Sequence, residues 1–428
     1  MTEIKEKIEL NDDFKRTLDL MENTNKSFFV TGKAGTGKST LLRYFVSHTK
    51  KNVVVVAPTG LAAINVGGMT IHSFFRFPPK MLDAYDIQRV YRDIYRKLDV
   101  VIIDEVSMVR ADMLDAIDMF MRLNGKDPKK PFGGVQMFLF GDLYQLPPVV
   151  ERDMGEVMNQ IYKSPYFFDA KVMNNFDYEI IELKKVYRQT DPIFIEFLDK
   201  VRLGKLDDAG LELINARAEK TKHEDSIIIT PTNRVADFIN HERLDRLQSQ
   251  NYNFKAKVEG EFKFGVTNLP IDLELNLKKG AKVIFVKNDG QGRWVNGTLG
   301  TVEEIGEEIV KVKLQDSTII DVQAVDWEKI KYDYDRSAGR IVAKVAGKLT
   351  QIPLRLAWAL TIHKCQGQTL DKAHIDLASG VWEFGHSYVA LGRCRTLDGI
   401  TLETKIRLSD IKVDSRVTEF LKDRGELK

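Results

Sequence analysis

One short segment constrains the fold of this 428-residue chain more than any other. Residues 32–39 read GKAGTGKS and fit the pattern G-x-x-x-x-G-K-[ST]. A strand-like apolar run at 27–30 precedes the segment, and a helix-like run with Leu41, Leu42 and Phe45 follows it. Glycines let successive N–H groups point inward, and the N-terminus of the next helix adds positive potential. The pattern therefore predicts a strand–loop–helix unit that holds phosphate groups; a chance glycine loop is the weaker alternative.

The same segment supplies the predicted nucleotide contacts. Lys38 is expected to reach the β- and γ-phosphates of ATP, and the hydroxyl of Ser39 is expected to bind Mg2+. The residues predicted to surround the phosphates are Gly35, Thr36, Gly37, Lys38, Ser39 and Thr40.

Short apolar runs rich in β-branched residues alternate with helix-length segments along the chain. Such runs lie at 27–30, 53–57, 100–103 and 136–140, and again at 227–229, 357–362 and 374–377. The alternation predicts an α/β fold with parallel sheets that are covered by helices on both faces. Residues from about 255 to 349 differ, because short strands and turn signals there predict a small β-barrel inserted into the second α/β domain.

A short internal repeat points to two related domains, as does a length that suggests two or three domains. Pro58-Thr59 follows an apolar run in the first half, and Pro231-Thr232 follows one in the second. A single Pro-Thr pair is usually only a turn. Two pairs in equivalent places predict that each domain offers a hydroxyl and backbone amides to a similar ligand, such as a polymer with evenly spaced phosphates.

Composition excludes little. The 64 Lys and Arg residues against 62 Asp and Glu give a net charge of +2, and DNA binding needs only a local basic groove. No apolar run approaches the roughly 20 residues that span a bilayer, and residues 1–10 lack the apolar region of a secretory signal. We therefore expect a cytoplasmic, nucleoid-associated protein, with a nuclear or mitochondrial location only if a targeting segment is missing. The two cysteines, Cys365 and Cys394, are expected to be reduced thiols in or near the core.

Two acidic residues and a glutamine follow predicted strands near the glycine-rich loop. Asp104 and Glu105 follow the run at 100–103, and Gln145 follows the run at 136–140. Beside a phosphate-binding loop, Asp104 would hold Mg2+, and Glu105 would orient and deprotonate the attacking water. Gln145 would hydrogen-bond the γ-phosphate or that water. Taken alone, each of the three is better explained as a solvated surface residue.

The motifs together resemble those of the Pif-type family of 5′-to-3′ DNA helicases and, more distantly, the RecD branch of superfamily one. The match covers nearly the whole chain, and the most specific part is LKKVYRQTDPIFIEFLDKVRLG, which begins at Leu183. The other matching segments are GKAGTGKST from Gly32, APTGLAAINVGGMTIHSFF from Ala57, IIDEVSM from Ile102, GDLYQLPPV from Gly141, LTIHKCQGQTL from Leu360 and YVALGRCRT from Tyr388.

The resemblance implies an architecture of two RecA-like P-loop cores with parallel sheets. The first core would span residues 1–175, with a short wedge insert at about 64–80. The second would comprise 176–254 and 350–428, with an SH3-like β insert at 255–349 between its two parts.

The resemblance also implies roles that sequence patterns alone do not reveal. Arg188 and Arg393 would contact the γ-phosphate from the second core, and Gly367 would lie at the nucleotide. The family places a glutamine where this chain has Phe14, so Phe14 is expected to stack on the base instead. The residues expected to touch DNA are Thr59, Gly60, His72, Phe74, Thr232, Asn233 and His363.

The aromatic cluster at 70–77 has two interpretations. Its rings could stack on DNA bases, which is worth roughly 1–3 kcal/mol per base. At least one phenylalanine in the cluster is better explained by burial in the core. His363 also has two interpretations, as a core histidine or as part of a ligand loop, and the polar, glycine-broken segment that follows it favours the loop.

The resemblance implies an ATP-dependent helicase that moves 5′ to 3′ on single-stranded DNA and unwinds tailed duplexes. The expected enzyme works as a monomer, possible substrates include G-quadruplexes, and roles in DNA repair, recombination, replication or telomere maintenance follow by analogy. The main alternative is a DNA-stimulated ATPase that binds or remodels without separating strands. A small-molecule P-loop kinase is a third interpretation, which the paired half-domains disfavour.

Overall fold

A computed structural model of the protein describes residues 11–425 except 79, 91–92, 151, 223–225, 261–270, 295, 315, 336 and 338–339. The expectation about a signal in residues 1–10, and the part of the predicted insert at 261–270, lie outside the described residues. Within that range no helix combines the length and apolar character needed to cross a bilayer. Both cysteines are buried and unpaired, as expected.

The first core is a six-stranded parallel sheet with strand order β3-β2-β4-β5-β1-β6. Its central strands are buried on both faces, which explains their continuous apolar runs. The strands are β1 (Ser27–Gly32), β2 (Val53–Ala57), β3 (Met69–Thr70), β4 (Val100–Ile103), β5 (Gln136–Phe140) and β6 (Tyr178–Leu183). The helices are α1 (Asp12–Asn23), α2 (Lys38–His48), α3 (Gly60–Asn65), α4 (Ile71–Phe75), α5 (Ile94–Lys97), α6 (Ala111–Asn124) and α7 (Arg152–Ile161).

Two expectations about the first core concern its end at residue 175 and the wedge insert at 64–80. The boundary expected at 175 is wrong, because β6 pairs in parallel with β1 and completes the first sheet as far as Leu183. The segment at 64–80 is anchored to the core, since β3 forms the edge of the sheet and Phe75 and Phe77 pack on Phe120.

The chain then enters the second core and leaves it again for the insert. The elements before the insert are α8 (Pro192–Arg202), α9 (Asp208–Asn215), β7 (Ile227–Thr230) and α10 (Asn233–Asp245). The insert strands are β8 (Asn251–Lys255), β9 (Lys257–Gly260), β10 (Glu274–Lys278), β11 (Lys282–Phe285), β12 (Leu299–Ile305), β13 (Ile309–Leu314), β14 (Ile319–Gln323), β15 (Val325–Asp335), β16 (Arg340–Gln351) and β17 (Leu354–Leu356).

The insert forms three antiparallel units. Its main sheet has the order β14-β13-β12-β11-β17 around a core that includes Trp294, while β8 pairs with β10 and β9 extends the β15–β16 hairpin. The expected limits of 255 and 349 are therefore too narrow, because β8 begins at Asn251 and β17 ends at Leu356. The β15–β16 hairpin reaches across to contact α3, β3 and α5 of the first core.

The last part of the chain completes the second core. Its parallel sheet has the order β18-β7-β19-β20. The elements are β18 (Ala359–Thr361), α11 (Ile362–Cys365), β19 (Ala373–Ile375), α12 (His386–Leu391), β20 (Ile400–Leu402) and α13 (Ser415–Asp423). Two parallel-sheet cores with a β insert confirm the predicted fold class.

Candidate nucleotide site and interdomain cleft

The glycine-rich loop connects β1 to α2 as predicted. Gly35 and Gly37 have φ angles of +82° and +84°, a left-handed conformation that favours glycine. Gly37 is the N-cap of α2 and has no side chain to satisfy the first amides of the helix. Lys38 Nζ donates to the carbonyl oxygens of Gly32 at 2.6 Å and Lys33 at 3.1 Å. The loop is therefore folded as an anion cradle with a cation inside it.

The acidic residues lie beside this cradle. Asp104 follows the end of β4 and is buried, and Glu105 has a left-handed φ of +50°, which is rare outside glycine. Burial and the neighbouring charge of Glu105 raise the pKa of Asp104 to about 7, and burial also raises the pKa of Glu105. Ser39 and Asp104 both line one cleft, and a hydroxyl with a carboxylate fits the oxygen ligands that Mg2+ prefers.

Gln145 links the first core to the second. Its Nε2 donates to Oδ2 of Asp142 at 3.3 Å. From the second core, Gln366 Nε2 lies 3.2 Å from Oε2 of Glu105 and 3.4 Å from Oε1 of Gln145, with hydrogen-bond geometry to both. A shift of Glu105 or Gln145, which follow β4 and β5, would therefore act directly on Gln366, which follows α11.

Arg188 packs on the glycine-rich loop. A Cβ added to Gly35 would lie 2.5 Å from the Cβ of Arg188, so only glycine allows this approach. Its guanidinium donates to the carbonyl oxygens of Gly392 at 3.2 Å and Gly367 at 3.5 Å. Burial, together with the charge of Arg393, lowers the pKa of Arg188 to about 9. This environment favours the approach of an anion.

Arg393 is almost fully buried and lies two residues after the end of α12. Its Nε donates to the carbonyl oxygen of Val389 at 2.7 Å, and its Nη1 lies 3.3 Å from the carbonyl oxygens of Cys365 and Gln368. Burial lowers the pKa of Arg393. Arg188 thus packs on the glycine-rich loop, and Arg393 follows Gly392, which approaches Ala34 of that loop. Carbonyl oxygens hold both guanidinium groups, and their contact with the γ-phosphate remains a prediction.

Sequence reasoning missed a buried network that crosses between the cores. Arg202 lies 3.3 Å from Oδ1 of Asp142, and its guanidinium covers the ring of Tyr144 at 4.5 Å. Tyr388 donates to Oδ2 of Asp142 at 3.2 Å and accepts from the amide of Ala34 at 2.9 Å. One carboxylate therefore ties together β5, α8, α12 and the glycine-rich loop.

A signal for this network was present in the sequence. Arg202 follows Phe194, Leu198 and Val201 at spacings that put it on the apolar face of α8. A charge on a buried helix face requires a partner, and the nearby motif GDLYQLPPV supplies Asp142.

The expectation that Phe14 stacks on the nucleotide base is wrong. Phe14 is only 3% exposed, and a Cβ on Gly37 would lie 2.9 Å from its Cζ, so Phe14 supports the loop and does not present a face to a base. Tyr187 is the exposed ring there, with its centroid 6.1 Å from that of Phe14, and its hydroxyl accepts from Asn11 at 2.9 Å.

A cleft of about 1170 Å³ separates the two cores and the insert. Thr59 and Thr232 occupy equivalent positions, because each is the N-cap of the helix after its strand and accepts from the amide three residues on. Both hydroxyls remain able to donate to a ligand. Residues from all three units line the cleft, among them Ser39, Thr59, Gly60, Glu105, Asn233, Lys287, His363, Lys364 and Gly367.

Three predicted DNA contacts, Thr232, His72 and Phe74, are not among the residues that line the cleft, although Pro231 and Asn233 on either side of Thr232 are. Phe74 is 5% exposed and packs edge-on against Phe75 and Tyr95, so its assignment as a base-stacking residue is wrong in this arrangement. His72 is half-buried and is not among the residues that line the cleft. Burial and the charge of Arg110 lower its pKa, which keeps the imidazole neutral.

Comparisons with known proteins show which chains this one is similar to. The sequence profile described as PIF1-like helicase matches residues 9–211. The chain is 32% identical to the ATP-dependent DNA helicase Pif1 of Bdellovibrio bacteriovorus, covering 97% of this chain and 92% of that protein. It is 34% identical to the ATP-dependent DNA helicase PIF1 of Rattus norvegicus, covering 92% of this chain but only 61% of the rat protein. The crystal structure of Bacteroides sp Pif1 in complex with ADP-AlF4 superposes with a TM-score of 0.87 at 34% identity, over 97% of this chain and 98% of that one.

Proposed function

Because the chain belongs to the PIF1-like helicase family, we propose that it is an ATP-dependent DNA helicase. One observation carries the proposal. The cleft between the cores is lined both by Ser39 and Glu105 of the nucleotide site and by Thr59, Asn233 and His363 of the predicted DNA path. ATP turnover and the grip on a strand would therefore occur in one connected space.

In this proposal the first core carries out the chemistry. Lys38 would leave its two carbonyl partners and donate to the β- and γ-phosphates, while Ser39 and Asp104 would hold Mg2+. When bound, Mg2+ neutralises charge on the phosphate oxygens. Glu105 would take the proton from the attacking water, and burial raises the pKa of Glu105, which makes the carboxylate a stronger base.

The second core would couple ATP hydrolysis to movement between the two cores. Arg188 and Arg393 are held by carbonyl oxygens, which are weaker partners than a phosphate. A ligand shifts a conformational equilibrium only through different affinities for the two states. Guanidinium contacts to the γ-phosphate would provide that difference, holding the cores together before hydrolysis and releasing them after phosphate leaves.

Single-stranded DNA is the proposed track. Thr59 with Gly60 and Thr232 with Asn233 would grip the backbone from the two cores, with His363 between them. The proposed polarity is 5′ to 3′, the proposed active unit is a monomer, and the proposed substrates are tailed duplexes and G-quadruplexes; these rest on family resemblance. DNA-stimulated ATPase should weaken as salt rises, because phosphate contacts release counterions.

Two linked assays test the proposal. ATP hydrolysis is measured with and without single-stranded DNA, and strand separation is then measured on 5′-tailed and 3′-tailed duplexes, with Lys38→Ala as the inactive control. We expect DNA-stimulated hydrolysis, and unwinding only from the 5′ tail. Stimulated hydrolysis without strand separation would favour the remodelling ATPase, and unwinding only from a 3′ tail would refute the polarity.

A further inference from the structure

Three side chains with metal-ligating atoms converge beside the cleft. His363 lies on α11, Glu383 on the segment before α12, and His386 at the first position of α12. Oε2 of Glu383 lies 3.1 Å from Nε2 of His386 and 3.6 Å from Nε2 of His363. One ligand atom from each of the three residues lies within 4.8 Å of the other two.

These separations suit a shared cation, and the orientation of the His386 ring does not suit a hydrogen bond to Glu383. Metal–ligand bonds of about 2.0–2.1 Å at tetrahedral angles put ligand atoms about 3.3 Å apart, and the two measured distances lie on either side of that value. Neither ring nitrogen of His386 has a hydrogen-bond partner among the described residues, although Nε2 is close to Glu383. The contact therefore has the proximity of a hydrogen bond without its direction.

The burial of His386 also favours a bound cation. Its side chain is 0% exposed, and a buried imidazole with no hydrogen bond is costly. Donation of the Nε2 lone pair to a cation would satisfy that atom. His363 and Glu383 are partly exposed, and His363 lines the interdomain cleft, so an ion can reach the site from solvent.

We propose that His363, Glu383 and His386 form a site for Zn2+ or a similar first-row transition-metal cation, with a fourth position open to water. Two imidazoles and one carboxylate match the ligands of zinc sites with an open position, whereas Mg2+ prefers oxygen ligands. This site is separate from the Ser39 and Asp104 pair. Its existence does not depend on helicase activity.

The proposed metal site lies next to residues that contact the first core. His363 is three residues before Gln366, which contacts Glu105 and Gln145. On the other side, a Cβ on Gly385 would lie 2.4 Å from the carbonyl oxygen of Gln145. A bound ion would therefore fasten α11 to the start of α12 directly behind the contact between the two cores.

The test titrates metal-free protein with Co2+ and follows the visible absorption of tetrahedral cobalt. For the wild type we expect one equivalent of Co2+ to give this absorption, Zn2+ to displace it, and excess Mg2+ to leave it unchanged. Glu383→Gln and His386→Gln should each weaken binding by about tenfold or more. Zn2+ should also raise the melting temperature of the wild type more than that of either variant.

His374→Gln is the matched control, because Nε2 of His374 lies 2.7 Å from Oε2 of Glu403 in a second His–Glu pair outside the cluster. This control should bind Co2+ as the wild type does. Melting curves without metal establish that each variant folds, and Glu383→Gln keeps the shape of the side chain. Absence of the tetrahedral absorption in the wild type, or equal affinity in the wild type and both cluster variants, would overturn the proposal.

Discussion

The two halves of the nucleotide site are built differently. In the first core, the glycine-rich loop, Asp104 and Glu105 follow strands of one parallel sheet, whose backbone fixes their positions. In the second core, Arg188 lies in a loop and Arg393 just after a short helix, and carbonyl oxygens hold both. The first half is preorganised by the sheet, and we propose that the second half exchanges its carbonyl partners for a phosphate. In the proposed helicase, this difference would couple hydrolysis to motion, because only a contact that changes can produce motion.

The Asp142 network shows the opposite behaviour between the same two cores. Arg202 and Tyr388 both contact a carboxylate that is 0% exposed. Breaking such contacts would leave a charge buried without a partner, so they are expected to persist while the arginines at the nucleotide move.

Arg393→Ala should remove the changing contact while leaving the preorganised half intact. We expect ATP affinity to be largely kept and the hydrolysis rate to fall by about 10³–10⁵, the range measured for arginine fingers in GTPases. Arg393→Lys should rescue poorly, because a point charge lacks the planar fork. Single-turnover hydrolysis and equilibrium ATP binding measure the two quantities separately.

Arg395→Ala is the matched control, since Arg395 is two residues away, exposed, and paired with Asp371. A fluorescent dye on each core should report closure with a non-hydrolysable ATP analogue in the wild type but not in the Arg188/Arg393 double variant. Equal closure in both proteins would show that the arginines do not couple the cores.

Glu105→Gln should slow hydrolysis in the preorganised half without weakening nucleotide binding. The amide keeps the size of the side chain but cannot accept a proton, so hydrolysis should fall by about 10²–10⁴ with nucleotide binding retained. The closure signal should also remain, which distinguishes this variant from the arginine variants. Hydrolysis at the wild-type rate would mean that another group is the base.

Arg202→Met should affect stability before activity. It leaves Asp142 buried without its cation, and the free energy of unfolding should fall by about 3–5 kcal/mol. Lys200→Met, on the same helix, removes only exposed ion pairs and should change stability much less than Arg202→Met does. Denaturant unfolding of both variants measures the difference, and equal losses would refute a special role for Asp142.

The same pair predicts a pH dependence. Burial alone would raise the pKa of Asp142, but the charges of Arg202 and Lys38, together with hydrogen bonds from Gln145 and Tyr144, outweigh burial and lower the net pKa. A lowered pKa contributes stability above the unfolded value of about 3.9, and this contribution is lost as pH falls through the folded value. The stability gap between wild type and Arg202→Met should therefore shrink in acid, where protonated Asp142 no longer needs a cation.

The smallest expected effect concerns selectivity for the nucleotide base. Phe14 is buried under the loop and offers no hydrogen bond, so ATP and GTP should be hydrolysed with kcat/KM values within about tenfold of each other. Tyr187→Ala should weaken both nucleotides equally, by about 1–3 kcal/mol, through lost stacking. Steady-state kinetics with both nucleotides test this, and a strong preference for ATP would indicate a base contact that lies outside Phe14 and Tyr187.

Much of the first core was predictable because its chemistry is local. The GKAGTGKS segment, Asp104 and Glu105 are each adjacent to a strand, and strand ends of a parallel sheet meet at one edge. Domain limits were less accurate, since the pairing of β6 with β1 and of β17 with β11 depends on partners far away in sequence.

The sequence by itself determined the phosphate loop, the α/β class, the β insert and, through resemblance, the family. Those features depend on residue spacing and hydrophobic periodicity, which the linear chain carries. Only the tertiary structure decided that Phe14 and Phe74 are buried, that Arg202 and Tyr388 meet Asp142, and that the side chains of His363, Glu383 and His386 converge. Burial and convergence of side chains depend on how separate elements pack, and a side chain's neighbours across that packing leave no periodic trace in the sequence.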